Sequence, residues 1–95
     1  MPKYRVSHTS TETCLLPDYA ILPGTVTAQF GWGASATDEP VAWLAAIWLT
    51  ESGRYFVKPT IVAGSVAVGT RYIWARMSND LGEVVVKYSG TVEVY

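Results

Sequence analysis

From residue 25 to residue 31 the chain alternates strictly, with Val26, Ala28 and Phe30 on one side and Thr25, Thr27 and Gln29 on the other. Successive side chains of an extended strand point to opposite faces, so this run predicts a strand with one buried face. The same period returns near the end of the chain. There Ile73, Ala75 and Met77 alternate with Tyr72, Trp74 and Arg76, and Val92 and Val94 alternate with Thr91, Glu93 and Tyr95. At the start, Tyr4, Val6 and His8 oppose Lys3, Arg5 and Ser7. Turn-forming Gly, Pro, Asn and Asp separate such runs at intervals of about 8–12 residues, which is the punctuation of an all-β chain. Residues 1–95 therefore read as a single β-sandwich domain of roughly seven to nine strands with little or no helix. The expected core is Val26, Ala28, Phe30, Ile73, Ala75, Met77, Val92 and Val94.

The remaining boundaries follow from breakers. Pro17-Asp18 and Pro23-Gly24 bracket a loop containing Tyr19, Ile21 and Leu22, and Glu51-Ser52-Gly53 makes a turn. Residues 54–57 form a strand stopped by Pro59, and residues 60–68 another, with Gly64 marking a bulge or close backbone approach. Asn79-Asp80-Leu81-Gly82 joins two strands with residues that tolerate positive φ. The strand after it is broken at Ser89-Gly90 and resumes at Thr91. Residues 40–49 admit two readings. Val41, Leu44, Ala45, Trp48 and Leu49 have helical spacing, with Asp38 and Pro40 suited to a helix start. Both alternating sets of residues 42–49 are also apolar, as in a strand buried on both faces. The flanking strands favour the strand, paired with residues 54–57 through the turn.

Composition bears on function. Hydrophobic residues make up 49% of the 95 and charged residues only 16%, against a usual charged share of about 25%. A chain of this size buries somewhat over ~60% of its unfolded surface, so part of this apolar complement must lie outside. A large exposed apolar patch marks an interaction site, and the expectation is a subunit held against neighbours that self-associates when isolated. The alternative is a compact domain with an unusually aromatic core. A net charge of −1 with scattered charges offers no footprint for nucleic acid or a membrane surface. Arg71 and Arg76 read as solvated or salt-bridged strand residues. No run reaches the ~20 apolar residues of a membrane-spanning helix, and Met1-Pro2-Lys3-Tyr4 lacks the apolar stretch of a secretory signal. Cys14 is the one cysteine, so no internal disulfide forms and synthesis in a reducing cytoplasm is expected.

Catalytic chemistry has no evident carrier, and the chain is expected not to be an enzyme. Nucleophilic catalysis needs a base beside the nucleophile. His8 is the one histidine, and it falls on the apolar face of the first run, as a partly buried packing residue would. Cys14 has no His near it in sequence and reads as an inert thiol. Asp38 and Glu39 are adjacent, so on extended chain they point apart. Asp38-Glu39 and Asn79-Asp80 are too sparse for a calcium cage of roughly six to eight oxygens, and no glycine run has phosphate-loop spacing. No cofactor and no metal are expected. The aromatic residues Trp32, Trp43, Trp48 and Trp74, with six tyrosines, suit either a sugar-stacking platform or a protein interface. With Ile73, Ala75 and Met77 inward, Tyr72, Trp74 and Arg76 form an outward row of the types that dominate binding hot spots. The inverted register, with Tyr72 and Trp74 in the core, is the alternative. Tyr95 ends the last strand, and the first and last strands are candidate sheet edges open to pairing. The expected partner contacts are Tyr72, Trp74, Arg76 and Tyr95, with Trp74 the most buried.

Residues 69–80, Gly-Thr-Arg-Tyr-Ile-Trp-Ala-Arg-Met-Ser-Asn-Asp, are followed by Glu83-Val84-Val85-Val86-Lys87-Tyr88-Ser89-Gly90-Thr91-Val92-Glu93-Val94. This pair of runs is similar to the closing hairpin of small immunoglobulin-like virion proteins of tailed bacteriophages, particularly those of actinobacteria. The shared pattern is a glycine turn, an aromatic-rich strand ending in Asp, a Glu-Val pair, a Ser-Gly break and a short last strand. Residues 25–31 and the strand from Trp43 to Trp48 are compatible, so the resemblance covers about the last two-thirds of the chain. The family often carries a proline in the hairpin, where this chain has Asp80-Leu81-Gly82. The resemblance implies an immunoglobulin-like sandwich and a minor tail or capsid-associated subunit of the virion, made in the host cytoplasm. It implies contacts with other virion proteins and with copies of itself. A carbohydrate-binding module using exposed tryptophans is the alternative.

Overall fold

The computed structural model describes residues 3–18, 24–51 and 54–95, with the side chains of Pro17, Asp18, Glu51 and Arg54 outside the description. The loop expected around Tyr19, Ile21 and Leu22 lies outside the described residues, as do Ser52 and Gly53 of the expected turn. The described residues form nine strands and no helix. These are β1 (Lys3–Val6), β2 (Glu12–Thr13), β3 (Leu16–Asp18), β4 (Val26–Gly33), β5 (Leu44–Glu51), β6 (Arg54–Lys58), β7 (Thr60–Ile61), β8 (Gly69–Asn79) and β9 (Val84–Val94).

Seven strands make one sheet in the order β1-β9-β8-β4-β5-β6-β3, and β2 pairs with β7 in a small second sheet. All neighbours in the large sheet run antiparallel except β1 and β9, which are parallel with Lys3 opposite Thr91 and Val6 opposite Val94. The sheet curls. Leu16 of β3 and Val57 of β6, directly paired, join one core cluster with Ala28 and Phe30 of the central strand β4 and with Ile73, Ala75, Met77, Val92 and Val94 of β8 and β9, toward the other end of the same sheet. The result is an all-β, sandwich-like domain. Its accessible surface is 5371 Å², close to the ~5,400 Å² expected of a folded monomer of this mass.

The alternating runs fold as their period requires. Ala28, Phe30, Ile73, Ala75, Met77, Val92 and Val94 are buried, and Val26 packs partly buried against them. The register of β8 is therefore the expected one, with Tyr72, Trp74 and Arg76 on the outer face. Residues 44–51 are a strand, paired with β6 as Trp48 with Val57 and Leu49 with Phe56.

Other expectations are corrected. β5 is not buried on both faces: Leu44 is 50% and Ile47 60% exposed. The ladder from β5 to β4 holds only at Ala28–Ala46, Gln29–Ala45 and Phe30–Leu44. The curl there carries Leu44 toward the rim, and Ile47 lies on the uncovered outer face. Residues 60–68 are a strand only at Thr60 and Ile61, because Gly64 takes φ 76° within a turn. Ser89-Gly90 does not end a strand. Ile73 faces Gly90 while Trp74 faces Tyr88, so Ser89 is the extra residue of a β-bulge within an unbroken β9, and Gly90 takes φ 138°. β9 is not a sheet edge, since it is paired with β8 on one side and β1 on the other. β1 is an edge, but it has four residues and exposes Lys3 and Arg5, features that discourage pairing with another strand.

Candidate functional site

The outer face of β8 and β4 is built from two glycines and a tryptophan. Gly31 and Gly33 are two residues apart on one strand and so lie on the same face, opposite Trp74 and Tyr72 of β8. Their missing side chains clear a trough. A Cβ on Gly31 would come 2.7 Å from Pro40 Cβ and 2.8 Å from the Ala42 carbonyl, and one on Gly33 would strike the Trp74 indole nitrogen and the Asp38 carbonyl. The segment 34–42 lies down in this trough with Pro40 buried. Ser35 ties the segment together. Its Oγ accepts from the Thr37 and Asp38 amides, each at 3.2 Å, and donates to Asp38 Oδ2 at 3.1 Å. Its carbonyl accepts from Trp74 Nε1 at 3.2 Å.

Trp74 is consequently only 7% exposed. Its ring is on the outer face as the alternation requires, and the chain's own 34–42 segment covers it. Trp74 is thus buried by its own chain, where the expectation was burial by a neighbour. Sequence reasoning missed the cover because it is made by residues some forty positions away. The Gly31-x-Gly33 spacing was the signal for it. Trp74 also packs against Tyr88, with ring centroids 5.6 Å apart, and Tyr88 against Tyr72 at 6.4 Å. Partial burial first, and the neighbouring Tyr72 second, push the Tyr88 hydroxyl above its ordinary pKa.

Arg76 stands next to the cover but outside it. It is half-buried, and its guanidinium lies 5.7 Å from the Trp43 ring centroid, within cation–π range. Its Nε is buried with no hydrogen-bond partner. In register it faces Gln29 on one side and Val86 on the other, and Gln29 in turn faces Ala45. Beyond Ala45 on the same face of β5 comes Ile47, which faces Lys58. Tyr95 lies apart from this group. Its carbonyl accepts from the His8 amide at 2.8 Å and lies 2.7 Å from His8 Nδ1, and Arg5 stacks on its ring at 4.4 Å. The structure thus brings Tyr72, Trp74 and Arg76 together and leaves Tyr95 at the sheet margin.

His8 is exposed in a turn after β1 and is not a packing residue of a strand. Cys14 is half-buried, and burial pushes its thiol up to about 11. The thiolate needed for nucleophilic attack is therefore scarce at neutral pH. Among the described residues no three His, Cys, Asp or Glu side chains gather to hold a metal ion, and no ligand-sized cavity opens. The tryptophans do not present a common flat platform. Trp32 and Trp43 are half-buried and Trp74 is covered. Trp48, the most exposed, donates its Nε1 to the Val26 carbonyl at 3.2 Å and tilts against Tyr55 at 5.4 Å. Comparison with models of protein families, with curated proteins and with solved structures finds no match for this chain.

Proposed function

We propose that the chain is a non-enzymatic structural subunit of a tailed-bacteriophage virion, a minor tail or capsid-associated protein. It is made in the host cytoplasm and joined to other virion proteins and to copies of itself through protein contacts. The observation that carries the assembly part is the apolar exterior of a fully compact domain. Val41, Leu44, Ile47, Trp48, Val62 and Val68 are all exposed, although the total surface is no larger than a monomer of this mass should have. Incomplete collapse therefore does not account for them, and surface of this kind favours contact with other proteins. The virion part rests on the resemblance of residues 69–94. A net charge of −1 gives nucleic acid or an anionic membrane little to hold.

Mass spectrometry of density-purified particles tests the reading. The chain is expected in repeated copies per particle. Its absence from particles, with the protein recovered as a free monomer, overturns it. The second reading, a carbohydrate-binding module, draws on the partly exposed Trp48–Tyr55 pair. It requires a monomer whose tryptophan fluorescence shifts when sugar is added.

A further inference from the structure

We infer that the uncovered half of the outer face docks a carboxylate carried on an apolar segment of a different protein, with Arg76 and Gln29 as the polar centre of the site. The row Val86–Arg76–Gln29–Ala45 crosses four adjacent strands, and Trp43 lies beside it against the guanidinium. Among the described residues Arg76 makes no ion pair, and neither its guanidinium nor the Gln29 amide makes a hydrogen bond. Five of the six carboxylates whose side chains are described are engaged elsewhere, and the sixth, Glu39, is exposed and makes no ion pair with Arg76. Glu12 accepts from Ser7, Asp38 from Ser35, Asp80 from Thr25, Glu83 from Asn79 and Glu93 from Thr70.

A half-buried guanidinium with no ion pair among the described residues is costly to keep; its Nε is closed to solvent, so the terminal NH2 groups are the donors that an arriving group can reach. The arriving group must be an acceptor, because every free polar group of Arg76 is a donor, and the unpaired positive charge selects an anionic one. A single guanidinium balances a single negative charge, and its planar fork matches a carboxylate. The surrounding Val86, Ala45, Ile47 and Trp43 ask for apolar neighbours on either side of that carboxylate. A second copy docked face to face does not fit. A two-fold contact would set Arg76 near Arg76, with the Lys58 cations at the rim and no described carboxylate in the rows. The partner is therefore a different protein. That it is a virion protein rests on the function proposed above, whereas the chemistry of the site does not.

The test titrates the purified chain with hexanoate and, separately, with the neutral isostere hexanamide, following the Arg76 Nε–H and Trp43 indole resonances by NMR. Saturable shifts are expected with hexanoate. Affinity should be about tenfold or more lower for hexanamide and for R76M, as follows from losing a charge-assisted hydrogen bond. R76K keeps the charge and guards against a folding defect, and should bind more weakly than the wild type but better than R76M. Equal shifts from both probes, or hexanoate shifts that persist in R76M, overturn the inference. So do concentration-dependent shifts of these resonances without probe, which would give the face to a second copy. Failure here leaves the particle composition untouched, and absence from particles leaves these shifts untouched.

Discussion

The two faces of β8 are made from the same eleven residues and solve opposite problems. On the inner face Ile73, Ala75 and Met77 are fully buried against Phe30, Val92 and the far end of the curled sheet. On the outer face Trp74 is nearly as well hidden, but by a single segment that two glycines allow to lie flat, and its neighbour Arg76 is left with an unmet donor. Inside, shape and apolar area settle everything locally. Outside, the chain covers one half of a strand face and leaves the other to be completed. The contrast shows that burial of a residue and membership of the core are separate facts, and that the register of a strand does not reveal which outward residues the chain itself will cover.

The sharpest way to break this contrast is to cut into the inner face. Met77→Ala should cost about 2–5 kcal/mol of folding stability, since it removes a fully buried side chain and leaves a cavity. Denaturant unfolding measures it, and a loss under ~1 kcal/mol would mean that β8 is not the centre of the core. Gly31→Ala acts on the outer face and should cost about 1–3 kcal/mol, because the added Cβ overlaps Pro40 and the Ala42 carbonyl. Its signature is specific: acrylamide quenching of tryptophan fluorescence should rise as segment 34–42 lifts from Trp74, while the core stays folded. A smaller effect concerns Cys14. Its folded pKa of about 11 lies above its ordinary 9.0, so its contribution is intact below about pH 9 and is lost as the pH rises toward 11. Unfolding midpoints should fall through that window, and Cys14→Ser should flatten the decline without changing the trend at neutral pH.

The inner face was legible from the sequence and the outer one was not, for a physical reason. Period-two alternation in β4, β8 and β9 is local and directly reports which side is buried. The bulge at Ser89 and the cover over Trp74 depend on pairings between distant residues, which alternation does not encode. The small strands β2 and β3 were hidden for a related reason. Pro17 cannot donate to a ladder and discourages reading a strand, yet β3 is an edge, where proline is tolerated. Leu16 is fully buried there because Val57 of β6 lies opposite it. Tyr72, Trp74 and Arg76 do share the outer face, as the alternation requires. Arg76 and Gln29 are half-buried beyond the covering segment, and Trp74 lies beneath it.

Hydroxyl-radical footprinting of the chain, free and within purified particles, tests most directly whether neighbours sit on the uncovered half of the outer face. Ile47, Trp43 and Val86 should become protected on assembly, while Ile73 and Met77, already buried, should not change. Unchanged reactivity at Ile47, Trp43 and Val86 in the particle would contradict the account.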